Sequence, residues 1–201
     1  MNKKPTTLNE VFEQREKMNM DGFSQEIPEQ VEFLVNCAKS ANVKNIMEIG
    51  FNAGHSSELF LKTNPDVKVT SFDICGYNCV RVGKAFIDEM FPNRHTLIKG
   101  NSLETVPQHE PEDNVKYDII FIDGGHHYPI AKGDLINCRR LAHKDTIVIL
   151  DDTVKDEKLI CHWNKGPNQA WSEAIEWNVV VQDGYSDFGR GRGQSWGRYL
   201  I

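Results

Sequence analysis

Carboxylates and histidines are concentrated in the second half of the chain. Asp123 is followed by Gly124, Gly125, His126 and His127, and it closes the apolar run Tyr117 to Ile122. Asp151 and Asp152 close a second apolar run, Thr146 to Leu150. If the two runs are neighbouring strands, three carboxylates meet, and they repel unless a cation neutralises them. Oxygen ligands suit Mg2+, Mn2+ or Ca2+ better than zinc. His126 lies three residues beyond Asp123. An imidazole titrates near neutrality, so it could remove a hydroxyl proton, more easily from a hydroxyl on a metal. His127 is the second candidate. The plainer alternative is a set of solvated strand-end caps and loop histidines bonded to backbone.

A second constellation lies upstream, at Glu48-Ile49-Gly50-Phe51-Asn52-Ala53-Gly54. A dinucleotide fingerprint is G-x-G-x-x-G, with a middle glycine that admits a pyrophosphate. Asn52 stands where that glycine belongs, so the loop can turn tightly but suits a pyrophosphate less well. Glu48 could attract a cationic ligand. Asp73 ends the next apolar run, where an acid can accept hydrogen bonds from a ribose diol. That feature indicates a nucleoside without choosing which one.

The elements that must position these groups alternate. Helical spacing is read at residues 7–20, 27–41, 55–63, 77–91, 129–142 and 167–177. Short apolar strands are read at 44–49, 67–72, 96–98, 117–122 and 146–150. Val179 to Gln182 and Ser195 to Ile201 predict two more strands, joined by a long loop over the glycine- and arginine-rich residues 184–194. This alternation predicts an α/β fold, a Rossmann-like doubly wound sheet. It would be mostly parallel with a C-terminal antiparallel strand pair. One domain over 1–201, with a helical extension at 1–25, is the simplest division. Polar groups follow all five parallel strands: the glycine loop, Asp73, Asn101 with Ser102, Asp123, and Asp151 with Asp152. Ligands of open α/β sheets bind at those ends.

The whole set resembles the class I S-adenosylmethionine (SAM)-dependent methyltransferases over roughly residues 44–153. Glu48 to Gly54 matches their E-x-G-x-x-x-G motif, Asp73 their ribose acid, and Lys99 to Ser102 the loop at the adenine edge. The resemblance implies that Gly50, Asn52 and Gly54, helped by Glu48, hold the methionine part of SAM. It puts Asp73 on the ribose, Asn101 and Ser102 near the adenine, and Asp123 between cofactor and metal. Asp123, Asp151 and Asp152 further resemble the metal site of catechol-type O-methyltransferases, with His126 where that family places a lysine base. Asp152 departs from the Asn common there, which leaves the metal's identity open among Mg2+ and other divalent cations. The stretch from Phe121 to Leu135 also resembles sugar O-methyltransferases related to macrolide tailoring. The implied partner is a small hydroxylated methyl acceptor. Two other readings remain at this point: an NAD-dependent oxidoreductase or epimerase, and a SAM-fold binding protein without catalysis.

Composition bounds these readings. The 201 residues carry a net charge of −6, which gives no global attraction to nucleic acid. No apolar run is long enough to span a membrane, and Met1 to Met20 lacks the apolar stretch of a secretory signal. Five scattered cysteines read as reduced thiols and predict a cytoplasmic protein. The pattern leaves a homodimer open. Tyr128 and Trp163 could line a substrate pocket, and Arg190 and Arg192 could reach an anionic substrate.

Overall fold

The computed structural model describes residues 4–13 and 27–201. In chain order the elements are helices α1 (Leu8–Glu13) and α2 (Pro28–Ala38), strand β1 (Asn45–Ile49), α3 (His55–Thr63), β2 (Lys68–Asp73) and α4 (Asn78–Met90). They continue as β3 (His95–Lys99), α5 (Ser102–Gln108), β4 (Tyr117–Ile122), α6 (Tyr128–Cys138), β5 (Ala142–Asp151) and α7 (Lys165–Glu176). A hairpin of β6 (Val180–Gly189) and β7 (Arg192–Tyr199) ends the fold. Residues 14–20 of the expected first helix, and most of the expected extension, lie outside the described residues.

All seven strands form one sheet in the order β3-β2-β1-β4-β5-β7-β6. The first five are parallel; β7 pairs antiparallel with both β5 and β6. This is the Rossmann-like arrangement expected from the sequence. Both faces of the central strands are apolar because both are covered. Ile46, Val69, Ile119, Phe121 and Ile149 pack on one side with α2, α3 and α4. Met47, Ile49, Ile120, Ile122 and Leu150 pack on the other with α5, α6 and α7. Pro28 and Pro129 sit at the first turns of their helices, where a missing N–H costs nothing.

Three local expectations need correction. Residues 184–194 are not a loop: they continue both strands, which turn tightly at Arg190 and Gly191, with φ of 54° and 77°. Paired positive φ values match the twist of a two-residue hairpin turn. The tip is also pinned, because Asn164 Nδ2 donates to Gly191 O at 2.7 Å. Second, Ser102 opens a seven-residue helix where a loop was read. Third, α6 stops at Cys138 and Ala142 already begins β5.

The order reverses direction between β1 and β4, and helices from these strands lie on opposite faces. Such a switch point opens a crevice at the strand ends. Helix α4 supports its rim, since a Cβ on Gly83 would lie 2.0 Å from the carbonyl oxygen of Ala53. Gly83→Ala is therefore expected to cost about 1–3 kcal/mol by overpacking, read as a lower urea midpoint. Gly76→Ala, whose Cβ would meet nothing closer than 3.8 Å, is the matched control and should leave the midpoint unchanged.

Candidate active site

The glycine loop runs from β1 into α3. Gly50 has φ of 93°, and a Cβ there would fall 1.9 Å from the carbonyl oxygen of Asp123. Only glycine lets the ends of β1 and β4 approach this closely. Gly54, at φ of 91°, turns the chain into α3. Between them Phe51 is buried, with its ring packed against Gly54. Asp73, at the end of β2, fixes the loop: its Oδ2 accepts from Phe51 N and Asn52 N, both at 2.8 Å. Its Oδ1 accepts from Cys75 N at 2.6 Å. The side chain of Asn52 turns toward α4, where its Oδ1 accepts from Cys79 Sγ.

Glu48 does not face the crevice. Its carboxylate is enclosed beneath the loop and accepts from the hydroxyls of Ser56, Ser57 and Ser71. Burial pushes its carboxyl above the ordinary range, and the three hydroxyls oppose that rise. Glu48 thus ties the first turn of α3 to β1 and β2. Asn101 caps α5, its side chain accepting from Leu103 N at 3.1 Å, and Ser102 follows as the first helical residue.

The acids converge at the adjacent strand ends. Ligand atoms of Asp123, His126 and Asp152 all lie within 4.8 Å of one another. His126 Nε2 is 2.8 Å from Asp152 Oδ2. Asp152 holds a left-handed backbone, φ of 55°, and is buried. Such a conformation costs energy for a non-glycine residue and points to a position fixed by its surroundings. Asp151 is turned elsewhere: both of its oxygens accept from Nε2 of the buried Gln30 at 2.9 Å. Burial, then the charges of Asp151 and Asp152, push the Asp123 carboxyl well above its usual range. Burial and then Asp152 raise Asp151 to about 7. The Arg192 guanidinium opposes both shifts. A cation among these groups would relieve the repulsion, and the carboxylate oxygens of Asp123 and Asp152 fit a hard divalent ion, with the His126 imidazole beside them. A small, partly open cleft is lined here by Ile122, Asp123, His126, Asp151 and Asp152.

Other candidates fall at different distances. The Trp163 ring lies 6.3 Å from that of His126. The Tyr128 hydroxyl donates to Glu173 Oε2 and accepts from Lys132 Nζ, linking α6 to α7. Arg190 sits at the hairpin turn, and Arg192 directs its charge toward the acids. Sequence reasoning missed Gln30, whose contact with Asp151 spans 121 residues. It also missed Asp134 on α6, which is fully buried with no hydrogen bond of ordinary geometry to either oxygen. A polar residue at a core position of α6 was the available signal.

The glycine loop, Asp73 and the strand-end carboxylates thus stand around one switch point of a doubly wound sheet, the place where such folds bind nucleoside cofactors. The comparisons specify the class. The family described as a methyltransferase domain matches residues 47–153, and the chain belongs to it. It is a SAM-dependent methyltransferase. None of the curated proteins compared is a detectable sequence relative. Solved structures share the fold. An O-methyltransferase from Bacillus cereus, in complex with S-adenosylhomocysteine (SAH), is 19% identical with a TM-score of 0.77, covering 98% of this chain and 92% of its own. TomG from Streptomyces achromogenes, an O-methyltransferase of tomaymycin synthesis in complex with SAM, is 15% identical with a TM-score of 0.74, over 98% and 91% of the two chains. A TDP-rhamnose 3'-O-methyltransferase of calicheamicin biosynthesis is 20% identical with a TM-score of 0.63, over 87% and 82%.

Asp134 yields a pH prediction. Burial raises its carboxyl to about 6 from an ordinary 3.8, with the Ser102 hydroxyl offsetting part of the rise. Below about pH 4 it is protonated in both folded and unfolded chains and contributes no penalty. Between pH 4 and 6 the unfolded chain releases the proton first, so the folded state loses ground as pH rises. Above pH 6 the penalty is complete, at most about 3 kcal/mol. Asp134→Asn should raise stability at pH 8 by up to that amount and change nothing at pH 3, in paired urea titrations. An equal effect at both pH values would contradict this account.

Proposed function

We propose that this protein transfers the methyl group of SAM to a hydroxyl oxygen of a small molecule, with a divalent cation such as Mg2+ held at the strand-end acids. The observation that carries the reading is the convergence of Asp123, His126 and Asp152 beside the glycine loop. The O-methyltransferases that share the fold support it. The scattered thiols favour a cytoplasmic setting.

The bound cofactor supplies a methyl already activated by its sulfonium. Gly50, Asn52 and Gly54 shape the seat for its methionine part, and Glu48 acts through the loop by holding α3 in place. Asp73 accepts from the ribose hydroxyls, and Asn101 and Ser102 flank the adenine. Asp123 and Asp152 hold the cation, and Asp151, clamped by Gln30, adds negative charge behind them. A cation in that place would acidify the acceptor hydroxyl. His126, oriented by Asp152, takes the hydroxyl proton on a ring nitrogen. The other contribution of these residues is to hold the acceptor oxygen in line with the methyl.

Two measurements test the parts separately. Asp73→Ala should weaken SAM binding about 10- to 100-fold in isothermal titration, the usual loss for a charged hydrogen bond. His126→Ala should lower kcat about 10²- to 10⁴-fold while SAM affinity stays the same. Undiminished methylation in saturating EDTA would remove the cation from the reading and leave the methyl transfer standing.

A further inference from the structure

The glycine loop is backed by an imidazole from a strand that does not adjoin it. His95 opens β3 and is buried. β3 is the outermost of the parallel strands, separated from β1 by β2. The His95 side chain nevertheless reaches the loop by two routes. Its ring packs against that of Phe51, with centroids 5.0 Å apart. Its Nε2 lies 3.0 Å from Ser71 Oγ and 3.4 Å from Ser57 Oγ, two of the three hydroxyls that hold Glu48.

The direction of these bonds follows from the protons present. Each serine hydroxyl has one to donate. Ser57 and Ser71 both donate to Glu48 Oε2, at 2.6 and 2.5 Å. Their oxygens can then only accept, so the imidazole carries its proton on Nε2 and donates it to Ser71. Burial, and then the charge of Lys84, lower the His95 pKa to about 3, so the ring is neutral and has one proton to give. A donor onto a hydroxyl strengthens the bond which that hydroxyl itself donates. His95 thereby reinforces the hold of Ser71 on a carboxylate whose charge burial disfavours. Its Nδ1 has no hydrogen-bond partner among the described residues, so a plain aromatic ring here would remove one unsatisfied atom along with the donor.

Both routes end on the loop. Ser57 lies in the first turn of α3, into which Gly54 leads. Ser71 lies two residues before Asp73, which holds Phe51 N and Asn52 N. The Phe51 ring that His95 supports is the one packed against Gly54.

We propose that His95 is a positioning residue of the cofactor seat, holding the glycine loop in its SAM-binding shape by donating to Ser71 and backing Phe51. It touches neither cofactor nor acceptor. The inference rests on the reading above that Gly50, Asn52 and Gly54 seat the cofactor beside Asp73.

The test needs no acceptor: SAH affinity is read by isothermal titration and stability by the urea midpoint. His95→Phe keeps a ring against Phe51 and removes the donor. It should weaken SAH binding about 5- to 10-fold while the midpoint changes little. In a Ser71→Ala background the same substitution should shift SAH affinity by less than about 2-fold, because the acceptor of the bond is gone. His95→Gln, which can place an amide N–H where Nε2 stood, should recover most of the loss. Long-range 1H–15N spectra of the native protein should show His95 protonated on Nε2, a readout that holds even if a variant fails to fold. Protonation on Nδ1 would overturn the proposal. So would a His95→Phe protein that loses its midpoint and keeps its SAH affinity, which is the mark of a packing residue alone. An equal loss with and without Ser71 would do the same. If Asp73→Ala also binds SAH like the native protein, the seat reading itself fails; if Asp73→Ala loses affinity and His95→Phe does not, only this inference fails.

Discussion

The contact on which the site depends is the approach of Gly50 to the carbonyl of Asp123. With no side chain at Gly50, β1 and β4 run side by side to their ends, and the two loops that leave them diverge to opposite faces. The crevice is the consequence of that divergence. Everything polar on the loops is then aimed by short tethers. Asp73 draws in the backbone of Phe51 and Asn52, and Glu48 collects three serine hydroxyls below them. The glycine loop is therefore held from both sides before any cofactor arrives. Such preorganisation reduces the ordering cost of binding.

Much of this was legible in the sequence because strand ends announce themselves. Apolar runs such as Tyr117 to Ile122 can be buried on both faces only in a covered sheet, and the polar residue after each run marks the edge. Gly50 and Gly54 were legible because a left-handed turn has few other occupants. The hairpin was not legible. Residues 184–194 carry glycine and arginine rather than an alternating apolar pattern, and their strand state comes from pairing across the β6–β7 hairpin and from Asn164 at its tip. Helix α5 was obscured by its length of seven residues and by Pro107 inside it.

The acids illustrate a subtler limit. Asp151 and Asp152 were read as a pair, yet successive residues at a strand end project to opposite faces. In the structure Asp152 is the one grouped with Asp123 and His126 within 4.8 Å, while both oxygens of Asp151 accept from Gln30. Asp151 instead meets Gln30, which no local pattern could reveal. Its carboxyl still raises that of Asp123, so it shapes the charge of the site without being part of the trio. Glu48 was likewise read as facing a ligand, and its burial converts it from a contact to a support.

The protein carries costly buried polarity of two kinds: the crowded carboxylates at the ends of β4 and β5, and side chains such as Asp134 and Gln194 that have no hydrogen-bond partner among the described residues. A fold selected for stability alone would replace them with apolar residues, since unpaired buried polar groups destabilise. The carboxylates and Gln194 lie at the ends of β4, β5 and β7, and Asp134 lies directly under Gly124 at the β4 end. The core beneath them is apolar. A cation among the carboxylates would relieve their mutual repulsion, whereas Asp134 and Gln194 lie wholly inside the fold. The carboxylates cost the fold stability at the place where its chemistry needs their charge, and this ties the stability of the fold to its site.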